Sequence, residues 1–209
     1  APRGSIETLL HAFLPAAFIL HTHADATAAL SDNPRSRAHV EKCFDGRVGL
    51  VPYQRPGFGL AVATASLYDR AQRAGRPWRA ILLDKHGLIT WGETGAQALA
   101  ESKALLAMAR RYVSPGKRVA QPKAVITGAL PLPALRGALS QGERQILHWD
   151  RSAEALAFSL RADAAKLCAG GPATPDHLLY TKPRALFVRA AAARSGAALA
   201  RAVAAYRRS

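Results

Sequence analysis

Two short apolar runs in this chain end in histidine, and their placement restricts the fold more than any other feature. Phe18, Ile19 and Leu20 lead into His21-Thr22-His23; about sixty residues later, Arg79 to Leu83 leads into Asp84-Lys85-His86-Gly87. Both runs read as strands entering a core. Side chains two apart on a strand share one face, so His21 and His23 offer two imidazoles side by side. A third imidazole, His86, delivered by a distant strand-end loop, gives the three-ligand, one-open-position arrangement of a catalytic divalent metal site. A His-x-His pair also arises by chance or as hydrogen-bonded core histidines, so the pair alone decides nothing. Its surroundings add weight. Glu7 lies fourteen positions before His21, and Ile6, Leu9, Leu10 and Phe13 follow helical spacing around it. Glu7 is therefore expected in the first turn of a helix leading through Pro15 into the histidine strand, aimed at the metal from a rigid neighbour.

Between and beyond these motifs the pattern alternates helix and strand. Ala24 to Leu30 reads as a short helix ended by Asn33-Pro34, His39 to Phe44 as a further turn or two, and Arg47 to Val51 as a strand. Pro52 to Gly59, with Tyr53 and Gly57, is a constrained loop. Leu60 to Ala74 is helical by pattern and Gly75 stops it. Leu88 to Trp91 resumes a strand and Glu93 to Tyr112 is a long helix. Pro115 to Pro133 reads as a linker or wrapping loop, Leu135 to Leu147 and Ala153 to Leu167 as helices, Gly170 to Pro175 as a loop, and Ala190 to Arg208 as an Ala/Arg helix of weak amphipathicity. No Gly-x-Gly-x-x-Gly follows any strand, so no dinucleotide site is expected.

With 209 residues, 49% of them hydrophobic, the chain suits one α/β domain with a sizeable core. Its longest uninterrupted apolar stretch, Ala12 to Leu20, is too short to span a bilayer and contains Pro15. No basic-then-apolar secretory signal opens the sequence, and Cys43 and Cys168 stand alone, so a cytoplasmic protein without thiolate metal ligands is expected. The formal net charge of +15 would attract phosphate whatever its carrier. It is spread along the chain and no nucleic-acid reading module is recognisable, so nucleic-acid binding is not expected. Attraction to anionic sugar phosphates is.

The ordered set Ser5-Ile6-Glu7 with His11, His21-Thr22-His23, Val51-Pro52-Tyr53 with Gly57, and Lys85-His86-Gly87 resembles the class II aldolase and adducin family. Within that family, the stretches SIETLLHAFLP, HTHAD, VPYQRPGF, KHGLITWGETG and GPATPDHLLYTK are most similar to the aldolase half of bacterial bifunctional rhamnulose-phosphate aldolase and alcohol dehydrogenase proteins. The resemblance spans residues 3 to about 186. It implies an α/β/α sandwich with a largely antiparallel central sheet flanked by helices. It implies His21, His23 and His86 as zinc ligands, Glu7 as the acid/base carboxylate, and Gly4, Ser5 and Tyr53 as substrate-binding positions. The implied reaction is cleavage of a ketose 1-phosphate, such as rhamnulose 1-phosphate, to dihydroxyacetone phosphate and an aldehyde by a homotetramer. Epimerases, dehydratases and decarboxylases share the family, and adducin-like members lose the metal ligands. Glutamate at position 7 leans toward carbon–carbon cleavage, since related epimerases usually carry aspartate there.

One departure is plain. The family places several tens of residues before the Glu7 segment, whereas here it begins almost at residue 1. The chain therefore looks N-terminally truncated, with an anion site reduced to Gly4 and Ser5. On this reading residues 1–113 form the metal-site core, 114–187 the C-terminal part of the same domain, and 188–209 a basic helix serving as a candidate connector. Four further residues have paired readings: His11 as an orienter of Glu7 or a packed helix histidine, Asp25 as a partner of a ligand imidazole or a helix cap, Lys85 as a phosphate contact or a solvated lysine, and Tyr53 as a donor or a packing residue. Asp176, His177 and Lys182 form a polar group without an assigned role.

Overall fold

The structure, a computed structural model of the chain, describes residues 3–76, 78–113, 131–140, 142–174, 177–178 and 181–209. The chain divides into two compact units, Ala1–Gly116 with Ala173–Tyr180, and Lys117–Pro172 with Thr181–Ser209. In the first unit the described elements run α1 (Thr8–Ala12), β1 (Phe18–Thr22), α2 (Asp25–Ser31), α3 (Ser36–Phe44), β2 (Val48–Val51), α4 (Phe58–Arg73), β3 (Ala80–Leu83), β4 (Gly87–Gly92) and α5 (Gly95–Val113).

The strands order β1-β4-β3-β2. β4 pairs antiparallel with both β1 and β3, while β2 and β3 run parallel, so the sheet is a largely antiparallel one, as expected. β3 and β4 form a hairpin in which Leu83 faces Gly87 and only Asp84, Lys85 and His86 make the turn. Period-2 alternation sends β3 to two cores at once. Ala80 and Leu82 pack with Val48 and Leu88 against Ala26 and Leu30 of α2, Val40, Cys43 and Phe44 of α3, and Leu105 and Ala109 of α5. Ile81 and Leu83 pack with Val51 and Ile89 against Leu10 of α1, Leu14, and Leu60 and Ala61 of α4. The sheet is thus covered on both faces, which explains why β3 reads as an unbroken apolar run.

Gly75 closes α4 as its pattern predicted, at φ +64°. Glu7 is the N-cap of α1 and not a residue of its first turn. Its side chain makes no capping hydrogen bond to the helix.

The second unit, taken by itself, contains α6 (Leu132–Ser140), α7 (Ala153–Ser159), α8 (Ala164–Ala169), α9 (Ala190–Ala193) and α10 (Gly196–Arg208) among the described residues. The expected helix from Leu135 to Leu147 starts three residues earlier, because a proline at the second helical position costs no hydrogen bond. It ends at Ser140, ahead of Gly142 at φ +96°. The expected helix from Ala153 to Leu167 breaks after Ser159. There the Arg161 guanidinium grips the Asp163 carboxylate at 2.7 and 2.8 Å, and a new helix begins at Ala164. The expected helix from Ala190 to Arg208 likewise breaks at Arg194-Ser195, where the Ser195 hydroxyl accepts from the Ala198 N–H and caps α10. α10 is not weakly amphipathic: it buries Leu199 and Val203 and packs on α6 so closely that a Cβ on Gly196 would sit 3.1 Å from the Ala134 Cβ. Most of the expected linker from Pro115 to Pro133 lies outside the described residues.

Candidate metal centre

Strand register aims the first histidine. Ile19 packs in the core on the α1 and α4 face, so His21, two residues on and opposite Ile89, points to that same face. His23 follows just past the end of β1. The β3–β4 turn brings His86, whose backbone N–H donates to the Leu83 carbonyl at 3.1 Å. Lys85 at the middle of this turn adopts φ +57°, an uncommon conformation for a residue with a side chain and one that costs of the order of 1 kcal/mol. α1 supplies Glu7 from the same face. Its backbone N–H donates to the Ser5 hydroxyl at 3.0 Å, which fixes the segment that carries the carboxylate.

These elements bring Glu7, His21, His23 and His86 together with one ligand atom from each lying within 4.8 Å of all the others. The Nε2 atoms of His21 and His23 are 2.9 Å apart and those of His21 and His86 3.3 Å apart. A Glu7 carboxylate oxygen lies 2.9, 3.5 and 3.9 Å from the Nε2 atoms of His86, His21 and His23. Tetrahedral coordination at about 2.0–2.1 Å separates neighbouring nitrogen ligands by about 3.3 Å, so the cluster has the spacing that a small divalent cation requires. Three imidazoles and a carboxylate suit zinc and its neighbours by donor type.

Tautomer and charge state agree with that use. His21 Nδ1–H donates to the Leu88 carbonyl at 3.2 Å, which leaves the Nε2 lone pair facing the other rings. Burial pushes the His21 imidazole down from 6.5 to about 4; His23 and His86 reinforce this and Glu7 opposes it. The ring is therefore neutral and available as a ligand at neutral pH. Side-chain exposure falls from 26% for Glu7 and 16% for His23 to 6% for His21 and 3% for His86. The cluster is accordingly open to solvent on the Glu7 and His23 side.

The glycine after His86 has a steric reason. A Cβ built on Gly87 would lie 2.7 Å from His23 Cδ2, 2.7 Å from the Thr22 carbonyl oxygen and 2.8 Å from His21 Cε1. Gly87 is thus the floor against which two of the three rings rest, a contact that the tripeptide motif does not reveal. Sequence reading also missed the Leu88 carbonyl, since backbone acceptors leave no signature in residue type.

Of the other residues singled out, Ser5 holds Glu7 and Gly4 sits against Thr8, where a Cβ would meet the Thr8 hydroxyl at 2.9 Å. Tyr53 is exposed and does not join the cluster. Its loop nevertheless adjoins the Glu7 segment, because Gly57 lies against Ile6 and the Phe13 and Phe58 rings meet edge to face at 6.1 Å. His11 makes no side-chain bond to Glu7 among the described residues; only its backbone N–H reaches the Glu7 carbonyl, at 3.3 Å. Asp25 is the first residue of α2, behind the Ala24 N-cap, and neither caps the helix nor bonds a ligand ring. Lys182 is spent on α10, where its ammonium donates to the Tyr206 and Arg207 carbonyls at 2.7 and 3.0 Å. Asp176 lies outside the described residues, and His177 is exposed. Cys43 is buried in the α3 core, where burial pushes its thiol up, away from a thiolate ligand's needs.

Residues 1–113 match the profile of the class II aldolase and adducin N-terminal domain, and residues 127–209 match that of the aldolase class II second domain. An uncharacterized oxidoreductase, YuxG, of Bacillus subtilis (strain 168) is 35% identical over 202 residues, which covers 90% of this chain and 28% of that protein. The chain therefore spans little more than a quarter of this curated relative. Among solved structures, the N-terminal class II aldolase domain of a conserved protein from Thermoplasma acidophilum is similar at 34% identity, covering 54% of this chain and 49% of that one with a TM-score of 0.47. No helix among the described residues is long and apolar enough to cross a membrane.

Proposed function

Because this chain belongs to the class II aldolase and adducin family, we propose that it carries a zinc-dependent aldolase centre cleaving a ketose 1-phosphate, such as rhamnulose 1-phosphate, to dihydroxyacetone phosphate and an aldehyde. The observation that carries this reading is the convergence of three imidazoles and one carboxylate on a single point with a partly exposed face. His21, His23 and His86 would hold the ion. A divalent cation there supplies Lewis-acid polarisation of a carbonyl oxygen. Glu7, at the solvent-facing side of the cluster, would give a proton to the carbon released when the carbon–carbon bond breaks, in exchange for the proton that the substrate hydroxyl gives up as it becomes the aldehyde carbonyl. Ser5 holds the Glu7 segment in place, Gly4 keeps the backbone close to the site, and Tyr53 reaches toward substrate from the adjoining loop. The bonded Nδ1–H of His21 keeps the ring from turning, so its Nε2 stays aimed at the ion. By the same family resemblance the working form is a cytoplasmic homotetramer.

The test is product analysis. Zinc-loaded protein incubated with rhamnulose 1-phosphate is expected to release dihydroxyacetone phosphate and lactaldehyde. Glu7→Gln is expected to lower that rate by about 10²–10⁴-fold. A product that keeps all its carbons, epimerised or dehydrated, would instead assign one of the family's other reactions.

A further inference from the structure

The end of the sheet remote from the metal centre carries a cavity of its own. It measures about 390 Å³, within the range of small-metabolite pockets. Among the described residues β2 is an outer strand of the sheet, with α3 packed on one face and α4 on the other, and the cavity lies along β2 between the two helices. Val40, Leu50 and Leu67 give it an apolar floor. Trp78, in its wall, precedes β3 whereas His86 follows that strand, so cavity and metal centre stand at opposite ends of β3. α4 gives the same separation. Its first residue, Phe58, meets Phe13 near the Glu7 segment, whereas Arg70 reaches the cavity roughly 18 Å further along the helix axis.

Three guanidiniums from three places line this space. Arg37 comes from the first turn of α3, Arg70 from the last turn of α4, and Arg76 from the turn that follows α4. Among the described residues Glu41 is the one carboxylate in the wall, and none of the three guanidiniums is engaged in an ion pair. Helix electrostatics account for Arg70, which complements the carbonyl end of α4, but not for Arg37, which stands where the dipole of α3 disfavours a cation. Like charges gathered in this way repel, and an oxyanion between them offsets the repulsion. Trp78 makes the wall firm. Its Nε1–H donates to the Gly46 carbonyl at 2.8 Å, and its ring fills the side-chain place of Gly49, where a Cβ would lie 2.7 and 2.8 Å from two ring carbons. The Arg76 guanidinium stands over this ring, 5.6 Å from its centroid, a cation–π contact that holds it at the cavity.

We propose that this cavity is a second ligand site, separate from the metal centre, for a small metabolite carrying two negative charges. Its phosphate or carboxylate oxygens pair with Arg37, Arg70 and Arg76, and its short carbon frame rests on Val40, Leu50 and Leu67. A guanidinium binds either oxyanion through parallel hydrogen bonds. Three cations against the Glu41 carboxylate leave two positive charges for the ligand to match. The ligand is not the substrate of the metal centre, since the two places are too far apart for one small molecule to reach both. The assignment therefore goes beyond the aldolase reading and does not depend on it.

Calorimetric titration of the metal-free chain with inorganic phosphate and with succinate tests the site, one probe for each oxyanion. Saturable binding of at least one probe is expected, and the tighter of the two identifies phosphate or carboxylate as the preferred group. Arg37→Met and Arg76→Met are each expected to weaken that probe by about tenfold or more. Lys103→Met, exposed on α5 and outside the cavity wall, is expected to leave it unchanged. Glu41→Gln tests the sign: removal of the opposing carboxylate should tighten binding by about threefold, a gain that a merely structural role for Glu41 does not give. No saturable binding of either probe, equal affinity in Arg37→Met and the parent, or weaker binding in Glu41→Gln overturns the proposal. The titration needs no metal, so a chain that takes up no zinc would sink the aldolase reading and leave this test intact. Arg37, Glu41 and Arg76 are exposed, so the variants are expected to melt with the parent, which thermal unfolding verifies.

Discussion

Replacing Gly87 by alanine tests the architecture of the centre without touching a ligand. The added methyl would stand 2.7 Å from His23 Cδ2 and the Thr22 carbonyl oxygen and 2.8 Å from His21 Cε1, whereas ordinary contact begins at 3.4 Å. Something must therefore move by more than half an ångström. One obstacle is backbone, which yields little, so the displacement falls on the two rings. Ligand distances tolerate only about ±0.2 Å, so both imidazoles leave coordination range together. Overpacking of this kind costs about 1–3 kcal/mol of stability, and zinc affinity should fall by about 10–100-fold or more, the scale seen when supporting groups of a metal site are disturbed. Chelator competition measures the affinity and thermal unfolding the stability. Gly137→Ala is the matched control: nothing lies within 4 Å of its Cβ, so it should bind zinc as the parent does and gain about 0.5–1 kcal/mol as a helix substitution. Parent-like zinc affinity in Gly87→Ala would refute the claim that this glycine supports the rings.

The depressed His21 value predicts a pH dependence. In the metal-free chain the unfolded imidazole binds a proton below 6.5, whereas the folded one does so only near 4, so the stability linked to its neutral form is whole above about pH 6.5 and is lost as pH falls toward 4. Urea titrations of metal-free protein at pH 7.5, 5.5 and 4 should show a decline through that window, and a flat profile would contradict the buried neutral ring. Leu82 lies fully buried in the two-sided sheet, so Leu82→Ala should cost about 2–5 kcal/mol in urea unfolding; a cost below 1 kcal/mol would deny that this face is packed.

Much of this arrangement was legible in residue order, and the reasons are physical. β3 and β4 announce themselves because a doubly covered strand must be apolar throughout, and Gly75 marks the end of α4 because only a glycine takes its backbone conformation without strain. The convergence of His21, His23 and His86 was readable from strand period and from the turn placed after β3. Other features depend on contacts that no local pattern encodes. The β1–β4 pairing joins segments far apart in sequence, and the service that Gly87 and the Leu88 carbonyl give to the rings exists only once that pairing forms. Alanine-rich stretches misled in the opposite way: residues 153–167 and 190–208 favour helix throughout, yet the first is interrupted where Arg161 holds the Asp163 carboxylate and the second where the Ser195 hydroxyl takes a backbone N–H and starts a new helix. Lys182, an apparent member of a polar cluster, turns out to serve the end of α10.

The central claim is that three imidazoles from two strand ends hold one ion, and zinc K-edge X-ray absorption of the metal-loaded chain tests it most directly. The account predicts one zinc per chain with three imidazole nitrogens at about 2.0–2.1 Å, oxygen completing the shell and no sulfur, and loss of that signal in His23→Ala with the fold retained. A chain that binds no zinc, a shell containing sulfur, or an unchanged spectrum in His23→Ala would contradict it.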